Sequence, residues 1–405
     1  MLFFALVYIV EGIGQTGGLI AQPLNYFLKE TYGWTPVQIT AFLTVLNFPW
    51  VIKPVYGIVS DFVPLFGYRR KAYLVIANAA ATLAYLWATQ TTAPGEIIFV
   101  LLLTAYAMAA SSTLAGAVLV EHGQRLGVSD SFVNQEWLWF SVAAMASALL
   151  GGFLIDRLTP AGALHAAAAI AAAAPLLAVF GSLYLIDEPR SRADLATLKQ
   201  TFRGFLATFK RRELWIVAVF LFLYTFNPGF GTPLYYHMTD RLHFSQGFIG
   251  ILGAVSSAGS IAGALLYRWL LRGMKSASLL YLSIGIGATT ALCFLAMTNE
   301  AVAVSVYFAA GIASMISLVA SLTLAADYAP RRSEGFAFAA LMSITNLASA
   351  LGDNLGSFMY EHVFASRIAP LILVSAAATL VAVPFVPMLR LGDKRHGEAA
   401  ASAVS

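Results

Sequence analysis

Two residues stand where charge is expensive. Glu11 lies in the apolar run that opens the chain, and Lys53 lies well inside the second run, between Pro49 and Pro54. A carboxylate or an ammonium in hydrocarbon is costly unless it meets a partner or a wet cavity. Each sits about eight residues from the end of its run, which at about 1.5 Å rise per residue puts both roughly 12 Å deep from the same face. Equal depth on neighbouring helices makes them a candidate ion pair. Two readings stay open: a proton or substrate switch, since a buried acid can take up a proton as its surroundings change, or a fixed structural pair. No constellation for covalent or metal chemistry accompanies them. There is no His-Glu-x-x-His, no Gly-x-Ser-x-Gly and no phosphate-cradling glycine loop. His165, His237 and His362 fall on different runs, and the one cysteine, Cys293, excludes a disulfide within the chain. An enzyme is not expected, nor any cofactor or metal.

The elements that position these charges are membrane spans. Of 405 residues, 59% are hydrophobic and 11% charged, with mean hydropathy +0.77, whereas a soluble domain carries about 25% charged residues. Runs near the length that spans a bilayer fall at 2–28, 36–60, 72–92, 96–120, 134–156, 162–186, 214–239, 246–271, 276–298, 301–326, 335–358 and 368–390. The first run lacks a basic leader region and extends to Leu28, so no cleaved signal is expected. The basic residues set the orientation. Nineteen of the 24 fall on the side of the termini, only Lys29, Arg157, Arg241 and Arg367 fall opposite, and Lys53 is inside. Both termini are therefore expected in the cytoplasm. The net charge of +4 is spent on short loops, so nucleic acid is not an expected partner. The polar segment 187–213 divides the chain into bundles 1–186 and 214–390. Leu195, Leu198, Phe202, Phe205 and Phe209 make an amphipathic helix in it, and 391–405 reads as a disordered tail. Gly14/Gly18, Gly259/Gly263 and Gly352/Gly356, each spaced by four, allow close helix approach.

One stretch is more specific. Between Asn47 and Leu74 stand Pro49, Trp50, Ile52, Lys53, Pro54, Gly57, Ser60, Asp61, Pro64, Gly67, Tyr68, Arg69, Arg70 and Tyr73. It resembles the signature of the folate–biopterin transporter family, a branch of the major facilitator superfamily. Pro330, Ser333, Glu334, Gly335, Phe338, Met342, Ser343 and Asn346 resemble the family's run entering span eleven; Tyr8, Gly12 and Ile13, and Pro228 with Leu242, Phe244 and Gly250, match more loosely. The resemblance implies an all-α membrane protein of twelve spans in two six-helix halves, acting as a transporter by alternating access. It implies a cytoplasmic gate of Asp61, Arg69 and Arg70, which Glu121, Glu136, Asp327 and Arg332 extend from neighbouring loops.

The superfamily lines its cavity with spans one, four, seven and ten. The candidate substrate contacts are thus Gln15, Tyr106, Ser112, Tyr224, Asn227 and Ser317, with Asn346 reaching in from span eleven. Amides, hydroxyls and tyrosines suit a flat heteroaromatic ligand; each also reads as a hydrogen bond between helices. Two departures matter. The family commonly has glutamine where Glu11 stands, and two aspartates where this chain has Ser112 and Gly116. The expectation is proton-coupled uptake of a folate- or pterin-like molecule across the cell (inner) membrane by a monomer among lipids. A siderophore or muropeptide is the alternative cargo, and a scaffold or receptor the remote one.

Overall fold

A computed structural model gives the backbone of residues 2–126, 129–190, 212–271, 273–328 and 334–389, and the side chains at all of these except 61, 120–126, 129–135 and 334–336. Among the described residues there are fifteen α-helices and no strand. Among the described residues eight helices, counting the bent Pro36–Ser60 as one, are long and apolar enough to cross a membrane. Three of the expected spans are each split in two. The first becomes α1 (Leu2–Gly14) and α2 (Ala21–Tyr32). The second is bent at Ile52, between α3 (Pro36–Val51) and α4 (Lys53–Phe62). Then follow α5 (Lys71–Ala88), α6 (Pro94–Leu126), α7 (Ser129–Arg157) and α8 (Pro160–Tyr184). The seventh span is split into α9 (Arg212–Thr225) and α10 (Gly231–Asp240). The remainder are α11 (Gln246–Leu266), α12 (Ser276–Cys293), α13 (Glu300–Tyr328), α14 (Glu334–Phe358) and α15 (Ile368–Leu380). The amphipathic stretch 195–209 and the 391–405 tail lie outside the described residues.

Local sequence sets these boundaries. Thr35 caps α3 reciprocally with Gln38, and Pro36 fills the first helical position, where its missing N–H costs nothing. Thr159 and Pro160 start α8 in the same way. The break after α1 belongs to the glycine-rich 12–18 segment. A side chain at Gly18 would meet the Ile13 carbonyl at 2.3 Å, so only glycine lets the chain fold back there. The break at Ile52 belongs to Pro54, which has no N–H to give the Trp50 carbonyl four residues earlier.

The outer surface is apolar: Leu83, Trp87, Phe99, Phe153, Phe180, Trp215 and Trp269 are exposed, as helices facing lipid require. The inner faces pack by small residues. The alanine run of α8 is buried at Ala167, Ala168, Ala171 and Ala172. Two helix pairs carry the closest packing between helices before 190 and helices after 212. In α7 against α11, a side chain at Gly250 would lie 2.6 Å from the Ala148 carbonyl. In α3 against α14 the contacts run antiparallel: Val37 N to Glu361 Oε2 (3.4 Å), Thr40 with Ser357 (2.7 Å), Asn354 to Thr44, then Asn346 to Trp50. Lys29 pairs with Asp240, and Tyr236 donates to the Trp34 carbonyl, at the same end.

Two of the three glycine pairs seat one helix against another. Gly352 and Gly356 hold the break of the seventh span against α14: Gly229 N donates to Gly352 O at 3.0 Å, and a Cβ on Gly356 would lie 1.8 Å from Gly229 O. Gly259 and Gly263 seat α11 on α13. Gly356→Ala should cost about 3 kcal/mol, the upper end of overpacking, seen as a fall in melting temperature of the purified protein. Gly285→Ala, where nothing lies within 4 Å, should stay within about 0.5 kcal/mol. Equal effects at the two positions would refute the close approach.

Candidate transport site

The site begins where helices stop. At the bend of the second span, Pro54 frees the Trp50 carbonyl, and Asn346 Nδ2 donates to it at 3.0 Å from α14. The Pro49 carbonyl is taken by the Tyr56 hydroxyl at 3.1 Å. At the break of the first span, Gly14 O accepts from Tyr85 Oη at 2.5 Å and Gly12 O from Ser147 Oγ at 3.2 Å. Donors from four helices therefore converge on the two breaks, because hydrocarbon leaves freed carbonyls no water.

The charges sit beside them. Lys53 Nζ donates to Ser112 Oγ at 3.3 Å, and Ser112 Oγ donates to Glu11 Oε1 at 3.0 Å. Lys53 Nζ also lies 4.4 Å from the centre of the Trp50 ring, a cation–π contact. The ion pair expected from equal depth is thus a bridged pair, with the hydroxyl of the fourth span between the charges. Glu136 joins them. The fifth span starts at Ser129 instead of 134, so Glu136 lies two turns inside α7 and not among loop charges. It is within electrostatic reach of Glu11 and Lys53 and lies beside the Tyr8 hydroxyl. The register is fixed by Gly12, whose missing Cβ would stand 2.7 Å from Ala143 Cβ and 2.8 Å from Phe140 O. Tyr8 and Glu136 are each one turn earlier on these touching, parallel helices.

Arg69 and Arg70, expected at the gate, lie in the turn that leads into α5. Arg70 is 7% exposed and donates to Ser60 Oγ at 2.6 Å. The Glu188 carboxylate accepts the backbone N–H of Arg69 (2.8 Å), Arg70 (3.1 Å) and Lys71 (2.8 Å). Lys71 Nζ donates to Leu183 O and Ile186 O. An acid thus holds the start of α5 and an ammonium the end of α8, each at its favourable helix terminus. Sequence reasoning missed Glu188; an acid and proline closing a span, Glu188-Pro189, was the available signal. Asp327 is exposed and accepts from Ser276 Oγ at 3.2 Å, apart from this clasp. The side chains of Asp61 and Glu121, and all of Arg332, lie outside the described residues.

The expected substrate contacts separate into groups. Gln15 stands half-buried in the turn between α1 and α2. Ser112 belongs to the charged chain. Tyr106 lies near Tyr56. Tyr224 Oη bonds Ser283 Oγ at 2.8 Å and Ser317 Oγ at 2.7 Å, a buried triad that ties α9 to α12 and α13. Asn227 lies in the break before α10 and accepts from Ser375 Oγ at 3.5 Å. Asn346 serves the Trp50 carbonyl. A cavity of about 130 Å³ lies between α7, α11 and α13, lined by Trp137, Phe140, Ser141, Ser257, Ser260 and Ser314 among others. Its α7 and α11 walls were absent from the sequence-based set, because the superfamily pattern points to other spans. Among the described residues no three His, Cys, Asp or Glu side chains are grouped to hold a metal.

A bundle of apolar helices, broken three times around a charged and hydroxyl-rich centre, defines a membrane transporter. The fold is of the major facilitator type. The chain superposes on the nucleoside transporter NupG with a TM-score of 0.70 at 16% identity, covering 96% of this chain and 98% of that one. It superposes on a bacterial homologue of the human lysosomal transporter Spinster with a TM-score of 0.67 at 14% identity, covering 96% and 94%. The BT1 family model matches residues 12–400, and the chain belongs to that family, the folate–biopterin transporters. It is 27% identical to the folate-biopterin transporter of Synechocystis sp. over 96% of this chain and 81% of that protein. It is 25% identical to folate transporter 1 of Plasmodium falciparum over 65% of this chain and 51% of that protein, so it spans about half of the latter. Its family and relatives are transporters, not enzymes.

The bridged pair predicts an asymmetry. Lys53→Met leaves two carboxylates without a cation, whereas Glu11→Gln leaves Lys53 with Glu136. Removing one partner of a buried pair typically costs about 3–5 kcal/mol, and removing both is close to neutral. Lys53→Met should therefore lower the melting temperature more than Glu11→Gln, and the double variant, which still leaves Glu136 without its cation, should recover only part of the loss. Simple addition of the two losses would mean the residues are not coupled.

Proposed function

We propose that the chain is a secondary transporter working by alternating access, coupling uptake of a folate- or pterin-like molecule to protons. In this reading twelve spans form two six-helix halves, 1–186 and 214–390, joined by the 187–213 linker. Both termini are cytoplasmic, and the protein is a monomer in the cell (inner) membrane. The observation that carries the coupling is the Lys53–Ser112–Glu11 chain. A proton donor, a hydroxyl and an acceptor are hydrogen-bonded in series across three spans, beside two helix breaks, the places where transporters bind substrate and coupling ions. Trp137 and Phe140 supply flat faces, and Ser141, Ser257, Ser260 and Ser314 supply hydroxyls, for the edges of a ring.

A second cargo has one observation in its favour. Ser112 is occupied by the charged chain and Gly116 has no side chain, so the two span-four acids of the family pattern are absent. A siderophore or a muropeptide would need neither. A thermal-shift screen of purified protein against folates, pterins, siderophores and peptidoglycan fragments separates these cargoes.

Labelled folate taken up by liposomes holding the full chain, sodium excluded, should accumulate under an imposed inward proton gradient. A protonophore should return it to simple equilibration. Uptake indifferent to the gradient would leave a facilitator. Arg70→Ala, which removes the guanidinium from Ser60 but touches nothing at the helix breaks, should slow uptake while holding folate binding within about tenfold, or roughly 1.4 kcal/mol. Complete loss of binding by a folded variant would place Arg70 in the site.

A further inference from the structure

We propose that Asp353 is a specificity-determining residue for the cargo. At the break of the seventh span its carboxylate receives the two adjacent N–H donors of a 2-amino-4-oxopyrimidine edge, the edge that pterins and folates share. The assignment rests on the folate- or pterin-like cargo proposed above and names the acid that reads it.

Placement on the helix comes first. Asp353 lies inside α14, whose sides are told apart by what they meet. Asn346, Asn354 and Ser357 bond α3. Gly352 and Gly356 receive the backbone of the seventh-span break. Leu347, Leu351, Leu355 and Phe358 are exposed and form the side that faces lipid. At about 100° per residue, Asp353 and Ser349 fall between the α3 side and the break side, roughly 160° from the middle of the lipid side. Both are nevertheless exposed. An exposed position pointing inward between α3 and the break borders open space inside the protein. The break has such space as well: Gly231, the first residue of α10, is exposed, and a side chain there would meet nothing within 4 Å.

The carboxylate is set against the break and left short of donors. A side chain at Gly229 would stand 2.0 Å from Asp353 Oδ1, so glycine there lets the acid lie on the backbone of the break. Ser349, one turn earlier on the same helix, is its hydrogen-bond neighbour. Among the described residues Asp353 makes no ion pair. A carboxylate inside a membrane without a cation is costly, and its two oxygens accept two parallel N–H bonds. A 2-amino-4-oxopyrimidine presents such a pair, the ring N–H beside the 2-amino group. None of the described residues lining the cavity between α7, α11 and α13 is acidic, so the hydroxyls there cannot make this charged fork.

The test is equilibrium binding of pterin and of lumazine to the purified full chain, by titration calorimetry, for wild type and Asp353→Asn. Lumazine keeps the ring and replaces the 2-amino donor by an oxo acceptor. Wild type should bind pterin about tenfold or more tighter than lumazine, and Asp353→Asn should erase most of that preference by weakening pterin alone. An equal loss for both ligands, or no loss for either, would overturn the assignment. Wild type that binds folate but does not separate pterin from lumazine would do the same and leave the cargo standing. Wild type that binds neither folate nor a pteridine would remove both. If Asp353→Asn does not fold, wild type alone decides. A carbodiimide should modify Asp353, located by mass spectrometry of its peptide, and pterin should slow that modification while lumazine at the same concentration does not. Modification that pterin leaves unchanged would put the carboxylate outside the site.

Discussion

A helix that stops inside hydrocarbon must find partners for the backbone groups it frees, and the centre of this protein is built on that requirement. Each break is answered from another span. Tyr85 and Ser147 serve the first, Asn346 the second, and the Gly352 carbonyl the third. These bonds fix which helices touch and at what height, so the breaks are at once the weak points of three spans and the points at which other spans dock. The glycines follow from the same need. Gly356 and Gly12 lack side chains where a neighbouring backbone must come within contact.

The break in the second span also explains the acids. Because Pro54 restarts the helix, Lys53 becomes the first residue of α4, at the positive end of a helix dipole. That is the least favourable terminus for an ammonium. It is stabilised there from three directions: the face of Trp50, the oxygen of Ser112, and the carboxylates of Glu11 and Glu136. Proline, tryptophan and lysine in the motif therefore form one physical unit. Proline makes the break, lysine sits on it, and tryptophan covers the charge.

The all-helical membrane character and the family were legible because they rest on long apolar runs and a fourteen-residue signature. Equal depth brought Glu11 and Lys53 together by counting alone. What counting left out was the third party. Ser112 reads in sequence as a missing aspartate, and only the packing of α6 against α1 and α4 makes it the bridge. Glu136 was misplaced because the apolar run of α7 begins after the helix does: Asn134, Gln135 and Glu136 look like loop and are helix. Tyr224 and Ser317 show what a reading residue by residue leaves out. Polar residues on the expected lining spans are drawn into a buried triad with Ser283, a partner on the ninth span that no pattern points to.

The α3–α14 ladder shows how the two ends of the molecule can be linked. Its hydrogen bonds, from Val37 with Glu361 down to Thr44 with Asn354, are each worth about 0.5–1.5 kcal/mol net. Its last rung is different. Asn346 is not paired with a side chain that can turn to a neighbour; it serves the Trp50 carbonyl at the break. Withdrawing it strands that carbonyl in a site without a helical donor, one turn from Lys53. Parting α3 from α14 at this level therefore requires either water to enter at Trp50 or the bend itself to change. Both outcomes alter the surroundings of Lys53, the cation on which the two acids depend. The contact between α3 and α14 and the surroundings of Lys53 are in this way joined through a single amide.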